Sequence, residues 1–155
     1  MMNKWTMARG AALALPVVAL ATALTSQHAF GLAPCEMCHW QRWPHYAALS
    51  PAVLAFILPG MAMRRTLVAL AAFLVAISGV IGLYHAGVEY HLWAGLTTCS
   101  GGAGRTMADI MAAPLTRCDA PAFTLFGISM AGYNALFSLC GAGVVAWLLR
   151  GSRNG

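Results

Sequence analysis

The sequence predicts an all-α membrane protein: one domain over residues 1–155, built as a bundle of four transmembrane helices with both termini in the cytoplasm. Three observations predict it. First, 60% of the residues are hydrophobic and 8% are charged, with a mean hydropathy of +0.71, outside the range of ordinary soluble domains. Second, four apolar runs, roughly residues 10–31, 43–63, 66–84 and 126–149, are each long enough to cross a hydrocarbon core of about 30 Å as a helix. Third, six of the nine cations, Lys4, Arg9, Arg64, Arg65, Arg150 and Arg153, fall on one side of those runs. Arg42, Arg105 and Arg117 share the other side with all four acids, so the cation bias assigns the first side to the cytoplasm.

The first run follows a basic start, "MMNKWTMARG", and also fits the hydrophobic region of a signal peptide. A span is the better reading, because Gln27 spoils a small-x-small cleavage site and the charge-free stretch outlasts such a region. Pro44 opens the second run and places the start of regular helix nearer Gln41, since proline is comfortable only in a helix's first turn. Pro16, Pro51 and Pro59 mark further points where a span loses a backbone donor and can kink. Beyond the third run, a segment of about forty residues from His85 to Leu125 holds no span and reads as a long, functional outer loop. Tyr90 and Trp93 suit an interfacial belt, and Met107, Ile110 and Met111 before Pro114 predict a short helix lying on the bilayer. The same stripe packed on the bundle gives the same spacing. Gly101, Gly102 and Gly104 leave the backbone after Cys99 free to move. The net charge of +5 is accounted for by basic span flanks and anionic lipid headgroups, so no nucleic-acid partner is called for.

Of five cysteines, Cys35 and Cys38 lie in the first outer loop, Cys99 and Cys118 in the second, and Cys140 in the middle of the fourth run. Four cysteines collected on the non-cytoplasmic face point to a disulfide-permissive compartment. Cys140 is read as a small packed hydrophobe with no part in the chemistry. Three pairings of the outer four remain open.

"CEMCH" is formally a covalent haem motif. The first outer loop is too short to wrap a haem, and that reading leaves Cys99 and Cys118 unused. A four-thiolate zinc or iron-sulfur site fits poorly, because eighteen residues separate Cys99 from Cys118; no metal is expected. A non-enzymatic protein stapled by disulfides is a third reading, although closing so short a C-x-x-C ring removes little entropy from the unfolded chain. Redox exchange explains that form better. Arg42, four residues beyond Cys38, can lower a thiolate pKa and hydrogen-bond an electron-accepting carbonyl, aided by the helix N-terminus. Its alternative is an interfacial anchor. Trp40, Trp43 and Tyr46 fit either a ring pocket or an aromatic belt.

Three blocks carry a family resemblance: "PCEMCHWQR" before the second run, "LYHAGVE" after the third, and "TRCDAPAFTLFGISMAGYNAL" entering the fourth. Together with the four-helix plan they resemble the disulfide-bond formation protein B family, DsbB, over almost the whole chain. The sequence departs in having Leu96 and Phe123 where that pattern has Pro and Trp, and in a shorter second loop. The resemblance implies a quinone-dependent thiol oxidase of the bacterial inner membrane. In that scheme a reduced periplasmic DsbA-like oxidase attacks a Cys99–Cys118 disulfide and is held by Cys99. Cys118 then attacks Cys35, and Cys38 is freed as a thiolate beside ubiquinone or menaquinone. The resemblance also places His85 near the quinone, with Arg42, and leaves His39 a bystander.

Overall fold

The computed structural model describes residues 3–96 and 116–152. Helices α1 (Lys4–His28), α2 (Glu36–Ile57), α3 (Met61–Glu89) and α4 (Met130–Gly151) dominate, with a two-residue hairpin, β1 (Thr124–Leu125) and β2 (Ile128–Ser129), ahead of α4. α1, α3 and α4 are long and apolar enough to cross a membrane. α2 spans 22 residues, about 33 Å at helical rise, yet its first half carries Glu36, His39, Gln41, Arg42 and His45.

The bundle is packed through small residues. On α3, Val68, Ala71, Ala72, Val75, Ser78, Gly79, Gly82 and Ala86 are buried at helical spacing, while Leu70, Phe73, Val80 and Leu83 face outward. Lipid is as apolar as leucine, so helices in it gain most by close backbone approach over small side chains. A Cβ on Gly82 would lie 3.0 Å from the Ala131 carbonyl oxygen and 3.1 Å from the Ala135 nitrogen, and one on Gly79 would lie 3.1 Å from the Leu139 nitrogen. α3 packs most extensively on α2 and α4, and α1 closes the bundle against those two helices.

Lys4, Arg9, Arg64, Arg65 and Arg150 gather at one end, where Arg65 donates to Ser152, Lys4 lies over Trp147 and Arg9 over Phe56. Both described termini are at this end, as Lys4 meets Gly151. At the opposite end, Trp93 folds back so that its indole nitrogen donates to the Tyr84 carbonyl at 2.9 Å, over the hydrogen of Gly87. The Tyr90 hydroxyl accepts from the Ser129 nitrogen and donates to the Gly127 carbonyl, tying the hairpin to α3. The hairpin turn places both Phe126 and Gly127 at positive φ, the backbone that two-residue hairpin loops require.

Two expectations are corrected. α2 begins at Glu36, not near Gln41, with Pro44 and Pro51 inside it. The cause is local: Cys35 caps the helix by accepting the Cys38 amide on sulfur at 3.3 Å. In the same turn as Pro44, Ser78 of α3 donates to the Gln41 carbonyl at 2.7 Å, tying this part of α2 to the neighbouring helix. Cys140 is free but exposed on the outer face of α4 instead of packed within the bundle. The helix expected around Met107 to Met111 lies outside the described residues.

The Gly82→Val substitution, which forces a branched side chain against α4 backbone, should lower unfolding stability in detergent by about 1–3 kcal/mol. Gly10→Ala, where a Cβ meets nothing within 4 Å, should leave the thermal midpoint unchanged or slightly higher.

Candidate functional site

Cys35 and Cys38 occupy the N-terminus of α2, where helical amides turn toward them and favour negative charge. Their sulfurs are 2.9 Å apart, with the Cys35 thiol donating to Cys38. Both are free thiols. Cys35 is buried in a cluster with Met37, Val88 and Cys118, and Cys118 is itself disulfide-bonded. The structure therefore packs the cysteine ahead of the hairpin against the one that caps α2. Cys99 lies outside the described residues.

The two thiols are electrostatically unequal. The hydrogen bond received from Cys35 is the main influence lowering the Cys38 thiol below its ordinary value; burial and the Glu89 charge oppose it, while the backbone of Cys35 and the Arg42 charge assist. Cys35, as donor in that bond and buried, is raised.

His85 stands behind the pair, 1% exposed. Its Nε2 is 3.6 Å from Cys35 Sγ and 3.7 Å from Glu89 Oε1, and the ring also hydrogen-bonds the Cys118 backbone. Its Nδ1 accepts from the Gln41 amide nitrogen at 2.7 Å. Gln41 is oriented in turn: its nitrogen also donates to the Met37 carbonyl, and its oxygen accepts from Asn134 at 2.9 Å. Asn134 further donates to Ser78 and accepts from His45 and Ser138. This orientation leaves the imidazole proton on Nε2, facing Cys35 and Glu89.

A cavity of about 680 Å³ opens beside the pair, between α1, α2 and α4. Cys35, Cys38, Gln41, Arg42, His45 and Glu89 line its polar end. Val18, Leu20, Phe30, Phe123, Met130 and Phe137 line the apolar remainder. Arg42 reaches across to α1, donating to Gln27 Oε1 at 2.6 Å and to the Ala23 carbonyl at 3.3 Å. It acts on Cys38 through charge, not through a hydrogen bond. His85 is not among the lining residues, and neither are Trp40, Trp43 and Tyr46; Trp43 and Tyr46 face outward. His39 is exposed.

Residues 5–148 match the family described as disulfide bond formation protein DsbB. The chain belongs to the DsbB family. It is also similar to the uncharacterized protein RP370 of Rickettsia prowazekii, with 26% identity over 136 residues covering 83% of this chain and 78% of the relative. No solved structure matches it. As a DsbB-family protein with three apolar helices of spanning length, it is a multi-pass membrane protein of disulfide-bond formation, with a thiol oxidoreductase role.

Sequence reasoning missed Gln41, His45, Ser78, Glu89 and Asn134. The signal was available: these polar residues interrupt apolar helices at i, i+4 spacing, as Gln41–His45, His85–Glu89 and Asn134–Ser138, and polar groups within spans face the bundle interior.

Because the thiolate is the nucleophile, the unequal thiols should alkylate in order as pH rises. In the reduced DsbB-family protein, iodoacetamide followed by peptide mapping should show Cys38 reacting with a midpoint below about 8.5, the ordinary thiol value, and Cys35 above it. Removing the cation in Arg42→Ala should move the Cys38 midpoint up, and removing the anion in Glu89→Gln should move it down.

Proposed function

We propose that the chain is a quinone-dependent protein thiol:disulfide oxidoreductase that reoxidises a periplasmic DsbA-like dithiol oxidase. The observation that carries this reading is the packing of Cys118 against Cys35 while Cys38 borders an apolar cavity with a cationic wall. Such a cavity, within the usual range of about 300–1,000 Å³ for small-molecule sites, fits a ring carrying two carbonyls and an apolar tail. A bound quinone supplies a two-electron, two-proton acceptor.

The residues then divide the work. The partner's thiolate opens the proposed Cys99–Cys118 disulfide, leaving the partner bonded to Cys99 and Cys118 as a thiolate. The partner's second thiol attacks its own mixed-disulfide sulfur, freeing Cys99 and completing the partner's oxidation. Cys118 attacks the sulfur of Cys35 in a Cys35–Cys38 disulfide, and Cys38 leaves as the thiolate that its surroundings favour. Cys99 displaces Cys35 from Cys118, restoring the outer disulfide and leaving Cys35 and Cys38 reduced. Two electrons and two protons remain to leave through the cavity. Arg42 would hold a carbonyl oxygen of a bound quinone there and favour the negative charge that it takes up. His85, whose Nε2 stands beside Cys35 and Glu89, holds a proton at Cys35 instead of lining the ring pocket.

The reading includes one domain over residues 1–155 with α2 as a fourth span, the cationic end in the cytoplasm, and the cysteines at the periplasmic face of the inner membrane. Lipid covers Leu70, Phe73 and Trp147 on the outer surface. The haem alternative would need His39 as iron ligand, and His39 is exposed outside the cavity.

Purified protein mixed with a reduced DsbA-like partner and a short-chain ubiquinone or menaquinone tests this by quinone absorbance. Turnover should vanish in Cys38→Ser and Cys99→Ser; persistence in either refutes the relay. Arg42→Ala should raise the apparent KM for quinone about tenfold or more, the worth of one charge-assisted hydrogen bond. His39→Ala should change nothing.

A further inference from the structure

We propose that the reduced Cys35–Cys38 pair, with His85 and Glu89, forms a redox-gated site for one borderline-soft divalent cation of the zinc class. Cys35, Cys38 and His85 present donor atoms that all lie within 4.8 Å of one another. Around tetrahedral zinc, bond lengths of about 2.3 Å to sulfur and about 2.0–2.1 Å to nitrogen or oxygen set a sulfur–nitrogen edge near ~3.5 Å and a nitrogen–oxygen edge near ~3.4 Å. The corresponding separations here are 3.6 Å for Cys35 Sγ to His85 Nε2 and 3.7 Å for His85 Nε2 to Glu89 Oε1. The sulfur–nitrogen edge is therefore already close to size, and the Glu89 carboxylate, beside His85 but outside the three-residue cluster, reaches the ion by side-chain rotation. The sulfur–sulfur edge, 2.9 Å, opens to about 3.8 Å on binding, which a rotation of the less buried Cys38 side chain accommodates.

Glu89 is the independent indication. It is 8% exposed, lines the cavity beside Cys38, and its Oε2 has no hydrogen-bond partner among the described residues. A buried carboxylate oxygen without a donor carries a desolvation cost that a cation relieves.

Binding is an exchange of protons with no change of oxidation state. The ion displaces the thiol protons of Cys35 and Cys38. It takes the Nε2 lone pair in place of the Nε2 proton, and the imidazole proton moves to Nδ1. That last shift meets Gln41, whose amide nitrogen now donates to Nδ1; a metal-bound histidine needs an acceptor there. Gln41 thus holds affinity down, whereas a carboxylate at this position would complete a carboxylate–histidine–metal arrangement. Closing the Cys35–Cys38 disulfide removes both thiolates, so uptake is confined to the reduced state. The inference rests on the proposed function only in taking this pair to cycle between dithiol and disulfide.

The test uses the full chain in detergent carrying Cys99→Ser, Cys118→Ser and Cys140→Ser, reduced with a phosphine and titrated with Co2+ and then Zn2+ in slight molar excess, without quinone or partner. One Co2+ per chain should bind with sulfur-to-cobalt charge-transfer absorption and tetrahedral visible bands, and Zn2+ should displace it. The same protein oxidised to the Cys35–Cys38 disulfide should take up none. With circular dichroism unchanged, His85→Ala and Glu89→Gln should each weaken binding at least tenfold, and Gln41→Glu should tighten it by about tenfold. Equal uptake by oxidised protein, survival of binding in Cys35→Ser/Cys38→Ser, or indifference to both His85→Ala and Glu89→Gln would overturn the site. Loss of effect in Glu89→Gln alone overturns its place as fourth donor. Quinone reduction by the wild-type chain, assayed separately with a chelator present, reports on the proposed function independently of metal uptake.

Discussion

Gln41 joins three helices through one side chain. Its amide nitrogen donates to His85 on α3 and to the Met37 carbonyl on α2, and its oxygen accepts from Asn134 on α4. Gln41 is 7% exposed, so each of these groups is held by the cost of leaving it unsatisfied. The direction of the Gln41 amide then dictates the rest. It sets which imidazole nitrogen carries the proton, and with it how His85 meets Cys35 and Glu89. Ser78 and His45 extend the same network, so the geometry around the thiols is anchored deep in the bundle instead of in the outer loops.

That network depends on the small residues of α3. Asn134 reaches Gln41 because Gly82 and Ser78 let α4 approach α3 within backbone contact. A larger residue at either position would move the asparagine away before it disturbed any cysteine. Gly87 serves the outer end in the same manner by admitting the Trp93 ring, which stacks on Tyr84 at 5.8 Å between centroids. Packing and site chemistry are therefore one arrangement: the residues that bring the helices together are adjacent in sequence to those that orient the donors.

Hydropathy made α1, α3 and α4 legible, because lipid-facing and buried positions of a span are both apolar and the whole run stands out. The start of α2 was not legible. Pro44 is a strong local stop signal, and the cap that starts the helix two turns earlier is a cysteine sulfur, which is not among the usual capping side chains. Cys35, Cys38, Arg42 and His85 were readable from spacing and resemblance, whereas Gln41 and Glu89 were passed over because each looks like an ordinary polar residue at a membrane boundary. The direction of Arg42 was hidden for a similar reason: its hydrogen-bonding partners, Gln27 and the Ala23 carbonyl, belong to α1. Cys140 shows the limit of composition, since the same thiol suits a packed interior or a lipid-facing surface and only the helix phase decides.

The inequality of the two thiols follows from their positions at one helix end. Cys35 is the cap residue, just outside the helix, and so turns inward to Met37, Val88 and Cys118. Cys38 lies within the first turn and borders the cavity. A C-x-x-C pair begun at the cap thus sets its sulfurs apart: both border the apolar chamber, and the capping one is also buried against Cys118. Helix geometry alone makes that separation, and the hydrogen bond from Cys35 to Cys38 adds the electrostatic part by concentrating negative charge on the chamber side. An exchange that must receive electrons from protein and release them elsewhere needs such a two-sided pair, and three residues of helix are enough to build it.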